Sequence, residues 1–207
     1  GLALSTENDL DKLFEMIMEE ARHITNADGR TLYMKSDDGK MMDFKIVRND
    51  SLNLIMGGTS GNDIPWPPMA LFDNAGNPNR KSVVAYAANT GKTININDAY
   101  KEEGFDFSGM KAVDKSTGYH SKSFLTVPLK NHEDEIIGVM QLINSIDEES
   151  SKTISFSKEM QTEIESLCSQ GAVALTNKRL VLELKNLFEA FIRLIATAID
   201  EKSEYTG

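Results

Sequence analysis

Ser123-Phe124-Leu125-Thr126-Val127-Pro128-Leu129 and Ile136-Ile137-Gly138-Val139-Met140-Gln141-Leu142-Ile143, joined by the polar residues 131–135, decide the fold. Each run is short and apolar at consecutive positions for part of its length, the pattern of a strand buried on both faces. Two such strands across a turn belong at the centre of a sheet with helices covering both sides. The fold class expected is α+β, a central antiparallel β-sheet between helices.

Upstream, Leu10, Leu13, Phe14, Ile17, Met18, Ala21 and Ile24 recur at three- and four-residue spacing behind Ser5 or Thr6, which predicts a capped amphipathic helix over 5–25. Thr31-Leu32-Tyr33-Met34 and Phe44-Lys45-Ile46-Val47 flank the polar, glycine-containing stretch 36–40 and predict a hairpin. Residues 48–80, broken by Gly57-Gly58 and Pro65-Trp66-Pro67-Pro68, read as a long irregular segment, and such segments are often functional. Residues 83–88 predict a short helix stopped by Gly91, and 93–96 a short strand. Residues 98–118 read as a second polar loop.

Past Asn144, residues 156–202 contain no proline and one glycine, Gly171, and predict one long or two nearly continuous helices. Val181, Leu184, Phe188, Phe191, Ile195 and Ala198 alternate three and four apart, the seam of a coiled coil. This sets a boundary between a domain over 1–178 and a signalling helix over 179–207, with homodimerisation expected through the helix.

Composition excludes several classes. Of 207 residues 40% are apolar and 26% charged, an ordinary globular balance. A net charge of −10 opposes nucleic acid and anionic membrane surfaces, both negative themselves. The apolar stretch 188–199 is interrupted by Arg193 and falls short of the roughly 20 residues that span a bilayer. One cysteine, Cys168, rules out an internal disulfide, and with no secretion signal visible the cytoplasm is the expected compartment.

Three ordered motifs carry a resemblance: Thr90-Gly91-Lys92-Thr93-Ile94-Asn95-Ile96-Asn97-Asp98-Ala99-Tyr100, Asp114-Lys115-Ser116-Thr117-Gly118-Tyr119-His120-Ser121-Lys122-Ser123 and Gly138-Val139-Met140-Gln141-Leu142-Ile143-Asn144. Over residues 5–178 the chain resembles the GAF domains of cyclic-nucleotide phosphodiesterases and their bacterial relatives. The resemblance implies a sensor without a catalytic centre of its own, with a cyclic nucleotide or another small molecule as the ligand. The closing stretch, residues 196–207, looks like the first turn of an HD-GYP phosphohydrolase domain, which implies a metal-dependent effector C-terminal to it. Ser145 follows Asn144 where many phosphodiesterase GAF domains carry lysine, and Phe156 leads into Ser157-Lys158-Glu159, so the lysine–aspartate pairing of those domains is missing.

The resemblance places Asp114, Thr117 and Ser121 as polar groups facing a ligand, with Ile96 and Asn97 lining the same pocket. Local backbone bonding by Asp114 and Thr117 is the competing reading, and Asp98 is read as a turn cap. Phe72 and Trp66 offer aromatic faces for stacking, against anchoring of a long loop. His23, His120 and His132 read as surface histidines, Cys168 as core packing, and no set has metal-ligand spacing. The rivals left open are a ligand-free dimerisation scaffold, a reductase and a haem or bilin sensor.

Overall fold

In the computed structural model, which describes residues 2–207 with side chains from Asn8 onward, the first amphipathic run forms the helix α1, Leu2–Thr25. The side chains of Ser5 and Thr6, expected to cap it, lie outside the described residues. Phe14, Ile17, Met18 and Ala21 are buried. The helix ends where Asn26 enters the left-handed region and its N–H donates to the Arg22 carbonyl at 2.7 Å.

The hairpin comes next as β1, Ala27–Lys35, and β2, Met41–Asn49, with Gly39 at φ 72° in the turn. The two runs that decide the fold are β6, Phe124–Lys130, and β7, Ile136–Ile146. The short strands are β3 (Leu54–Gly57), β4 (Met69–Ala70), β5 (Ile94–Ile96) and β8 (Thr153–Ile154). The sheet runs β3-β2-β1-β7-β6-β5, with β4 on β2 and β8 on β7, and every pairing is antiparallel. The expected α+β class, with β7 and β6 inside the sheet, is the observed one.

Helices α1 and α4 (Lys158–Glu204) cover one face, where Leu32, Met34, Ile46, Leu125, Val127, Met140 and Leu142 meet Ile164, Cys168 and Leu175. Each such fully buried aliphatic side chain contributes about 1.5–3 kcal/mol over an exposed one, enough to pin both helices. Gly171 lets them approach closely: a Cβ there would lie 3.0 Å from the Ile17 Cδ1. The opposite face takes α2 (Val83–Thr90), capped by Ser82 and ended by Gly91 at φ 68°, and α3 (Ser108–Thr117).

Two segments differ from expectation. Residues 48–80 contain β3 and β4, short edge strands hidden by their glycines and prolines. The loop over 98–118 contains α3, whose only buried residue is the polar Asp114. A helix without an apolar face leaves no hydrophobic period to read.

Candidate functional site

The sheet face away from α1 and α4 is built in rows by the antiparallel register. Thr31, Gln141, Thr126 and Ile94 lie side by side, and Gly29, Ile143, Phe124 and Ile96 form the next row. Gln141 Nε2 donates to Thr126 Oγ1 at 3.1 Å, so a polar row crosses an otherwise apolar surface. On β7, Met140 and Leu142 are fully buried under α1 and α4, while Gln141 and Ile143 remain half-buried. Val139 packs with α2 in one cluster, and Ile143 packs against the cluster of Val83 and Phe107. Gln141 therefore lies in the middle of the sheet, between the cluster of Val139 and the cluster that Ile143 packs against.

A second polar cluster is built by α3 and the segment after it. Asp114 is 4% exposed, and its carboxylate accepts three hydrogen bonds: from Tyr100 Oη at 2.7 Å, from the Ser121 N–H at 2.8 Å and from Ser121 Oγ at 2.8 Å. Asn144 fixes the next residues along: its Oδ1 accepts from the Lys122 and Ser123 N–H groups, and its Nδ2 donates to the His120 carbonyl at 2.8 Å. Tyr119 Oη donates to Asp28 Oδ2 at 2.7 Å, tying the same segment to β1. Burial, reinforced by that carboxylate, pushes the Tyr119 phenol well above its ordinary value.

The residues expected at the site divide. Asp114 and Ser121 are in direct contact, and Ile96 is buried in the cluster of Phe107 and Phe124. Asn97 is exposed at the end of β5. Thr117 is also exposed, and its hydroxyl donates to the Val113 carbonyl at 2.8 Å, a local helix-end bond. Phe72 belongs to another part of the surface, 40% exposed and bridged to Pro78. Trp66, equally exposed, packs edge-on against Phe44. Asp98 caps its own turn by accepting from the Tyr100 N–H at 3.0 Å.

Sequence reasoning does not single out Tyr100 as a site residue. Its ring stacks on His120 with centroids 4.4 Å apart and planes at 26°, and Lys111 Nζ lies 5.3 Å above it. Tyr100 closes the Asp98-Ala99-Tyr100 motif, but nothing local signals a contact fourteen residues away. Gln141 and Thr126 likewise read only as strand residues.

Elsewhere, His23 and His132 are exposed, and Cys168 is fully buried in the core, its thiol pushed up by desolvation. Among the described residues no group of three or more His, Cys, Asp or Glu side chains is placed to hold a metal ion. No described helix is long and apolar enough to cross a membrane. A groove of about 420 Å³ lies between α1, the β1–β2 hairpin and Arg179 of α4, but its lining mixes Lys35, Lys45 and Arg179 with Asp11, Asp37 and Asp43, which offers no single sign of charge to a ligand.

Residues 9–175 match the family model of the GAF domain. The chain belongs to the GAF domain family. This GAF domain is similar to the dual 3',5'-cyclic-AMP and -GMP phosphodiesterase 11A of Takifugu rubripes, 31% identical over 126 residues. That match covers 61% of the chain and 13% of the relative, so the chain spans a small part of the relative's length. Among solved structures it is similar to the GAF domain/HD domain protein from Geobacter sulfurreducens, with a TM-score of 0.57 at 13% identity over 86% of this chain and 98% of that one. It is also similar to the GAF domain of an Acinetobacter phosphoenolpyruvate-protein phosphotransferase, with a TM-score of 0.54 at 14% identity over 87% and 97%. At such identities the likeness is one of fold. As a GAF domain the chain is a regulatory sensor module and not itself a catalyst.

Proposed function

We propose that this GAF domain senses a small molecule beside Asp114, dimerises through α4 and controls a C-terminal HD-type phosphohydrolase, a cyclic di-nucleotide phosphodiesterase. The observation that carries the output half is the outer face of α4. At 100° per residue, Ile164, Cys168, Gly171, Leu175 and Leu182 fall on the side packed against the domain. Leu184, Phe188, Phe191 and Ile195 fall on the opposite side and are 44–66% exposed. An uninterrupted helix that is packed on one side and apolar on the other suits a second copy, whose seam transmits a rotation or register change to the effector. The GAF domain/HD domain protein supports the choice of effector, and the phosphodiesterase relative supports a nucleotide ligand.

At the input, Asp114 and Ser121 supply an acceptor and a hydroxyl, Ile96 supplies apolar packing, and Asn97 and Thr117 are exposed. Phe72 joins only if the loop over 58–80 folds inward on binding. A cytoplasmic setting suits the single unpaired Cys168. The test is a thermal-shift titration with cyclic AMP, cyclic GMP and cyclic di-GMP, since a ligand selective for the folded state raises its stability by mass action. A saturable shift that is lost in Asp114→Asn supports the sensor.

A second reading, the ligand-free dimerisation scaffold, is favoured by one observation: the Asp114 carboxylate is already occupied by its own chain. Absence of any shift, in a colourless protein without co-purified ligand, decides for it.

A further inference from the structure

Two of the three hydrogen bonds at Asp114 come from Ser121, which is 4% exposed and sits in the segment clamped by Asn144. The third comes from Tyr100, 39% exposed, whose ring stacks on the imidazole of His120 and has the ammonium of Lys111 5.3 Å from its centroid. The Ser121 bonds are part of the backbone path of the domain. The Tyr100 bond is made by one exposed side chain outside that clamped segment.

We propose that Tyr100 is a resident occupant of the ligand position, and that the ligand is a planar ring carrying an N–H or O–H donor, which replaces the phenol on Asp114 and the tyrosine ring on His120. The proposal rests on the sensor reading and gives it a ligand class and a competitor. The stack selects a flat π-system, because only a ring face lies comfortably on an imidazole at 4.4 Å. The carboxylate selects a donor, because an acceptor placed on Asp114 would be repelled. Lys111 over the ring face adds attraction for electron-rich rings.

The exchange is balanced: one O–H···O bond breaks and one donor–carboxylate bond forms, and one stack replaces another. What changes is the loop. Residues 101–104 after Tyr100 are all exposed, and Gly104 sits at φ 108° with nothing within 4 Å of a Cβ. Releasing the ring therefore frees this segment ahead of α3. Ligand binding is then read out as movement of the loop that leads into α3, and affinity is lowered by the fraction of molecules in which Tyr100 is seated.

The experiment vacates the position and refills it. Tyr100→Ala is titrated with 4-methylphenol, the tyrosine side chain itself, and with toluene, which lacks the donor, by thermal shift. The expected result is a saturable rise with 4-methylphenol, a smaller or no rise with toluene, and no rise in wild type with either. Equal effects of the two, or none from 4-methylphenol, overturn the proposal. Cyclic GMP and cyclic AMP are then titrated into both proteins: tighter binding to Tyr100→Ala supports a nucleotide as the natural ring. A 4-methylphenol rise without nucleotide binding leaves Tyr100 as the occupant and sinks the cyclic-nucleotide reading alone. Should Tyr100→Ala not fold, Tyr100→Phe keeps the ring and removes the bond. Amide exchange over 99–121 is then expected to quicken about fivefold, the worth of one hydrogen bond, and unchanged exchange overturns the proposal.

Discussion

Arg30 is 5% exposed, and Asp50 accepts from its two terminal nitrogens at 3.1 and 3.0 Å. Those hydrogen bonds, with the charges of Arg30 and Arg22, hold the Asp50 carboxyl below the usual carboxylate range against its partial desolvation. A depressed carboxylate stabilises the fold above its unfolded value of about 3.9 and loses that contribution as pH falls through the lower folded value. The Asp50 side chain is 47% exposed, so water screens the pair and about 1 kcal/mol is the fitting scale. Asp50→Asn is expected to lower stability by about that much at pH 7, with the gap to wild type closing below about pH 4. Urea midpoints at pH 7, 5 and 3 check this, and a gap that widened in acid would be the wrong sign. Gly138 makes a steric case at the same scale. A Cβ there would lie 2.5 Å from the Tyr33 carbonyl oxygen, and since that atom is backbone of the neighbouring strand, β1 itself would have to move. Gly138→Ala is expected to cost about 1–3 kcal/mol, read from the same midpoints. The glycine is plain in the sequence, but the strand passing over it is not.

Helix α3 shows where reading the sequence stops. β6 and β7 are legible because their apolar runs state their burial, and α2 because Gly91 marks its end. In α3 the inward side chain is Asp114, and its partners are Tyr100, fourteen residues before, and Ser121, seven after. A hydrogen-bonded anchor leaves no hydrophobic period, so the helix reads as loop and Tyr100 as motif only. The same chemistry makes a prediction about the element. Asp114→Ala removes the acceptor of three donors, two of them on the buried Ser121, and is expected to cost about 2–3 kcal/mol. Amide exchange along α3 should rise with it. Thr117→Ala removes one exposed local bond and is expected to stay within about 0.5 kcal/mol of wild type. If the two substitutions cost the same, α3 is held by something other than Asp114.

At the scale of the whole molecule, the chain is a packed body with a helix that outruns it. The boundary at 178 comes from the sequence, where the domain-packing pattern gives way to a three-four seam. The structure carries α4 across that point unbroken, and Leu182, 8% exposed, continues the packed side. Beyond it Leu184, Leu187, Phe188, Phe191 and Leu194 are 58–69% exposed. Burial, not helicity, thus sets how much of α4 the body needs. Ending the chain after Glu183 removes side chains that touch water in the single copy, and is expected to abolish self-association while leaving monomer stability nearly unchanged. Ending it after Lys178 also removes Leu182 and is expected to cost a further 1.5–3 kcal/mol, roughly, for one apolar side chain returned to water. Sedimentation measures the first effect and denaturant midpoints the second, taken at concentrations where all species are monomeric so that association does not add to apparent stability. Equal stability of the two truncations would place the working boundary at 178. A chain of all 207 residues that sediments as a monomer would mean that the outer face of α4 serves something other than a second copy.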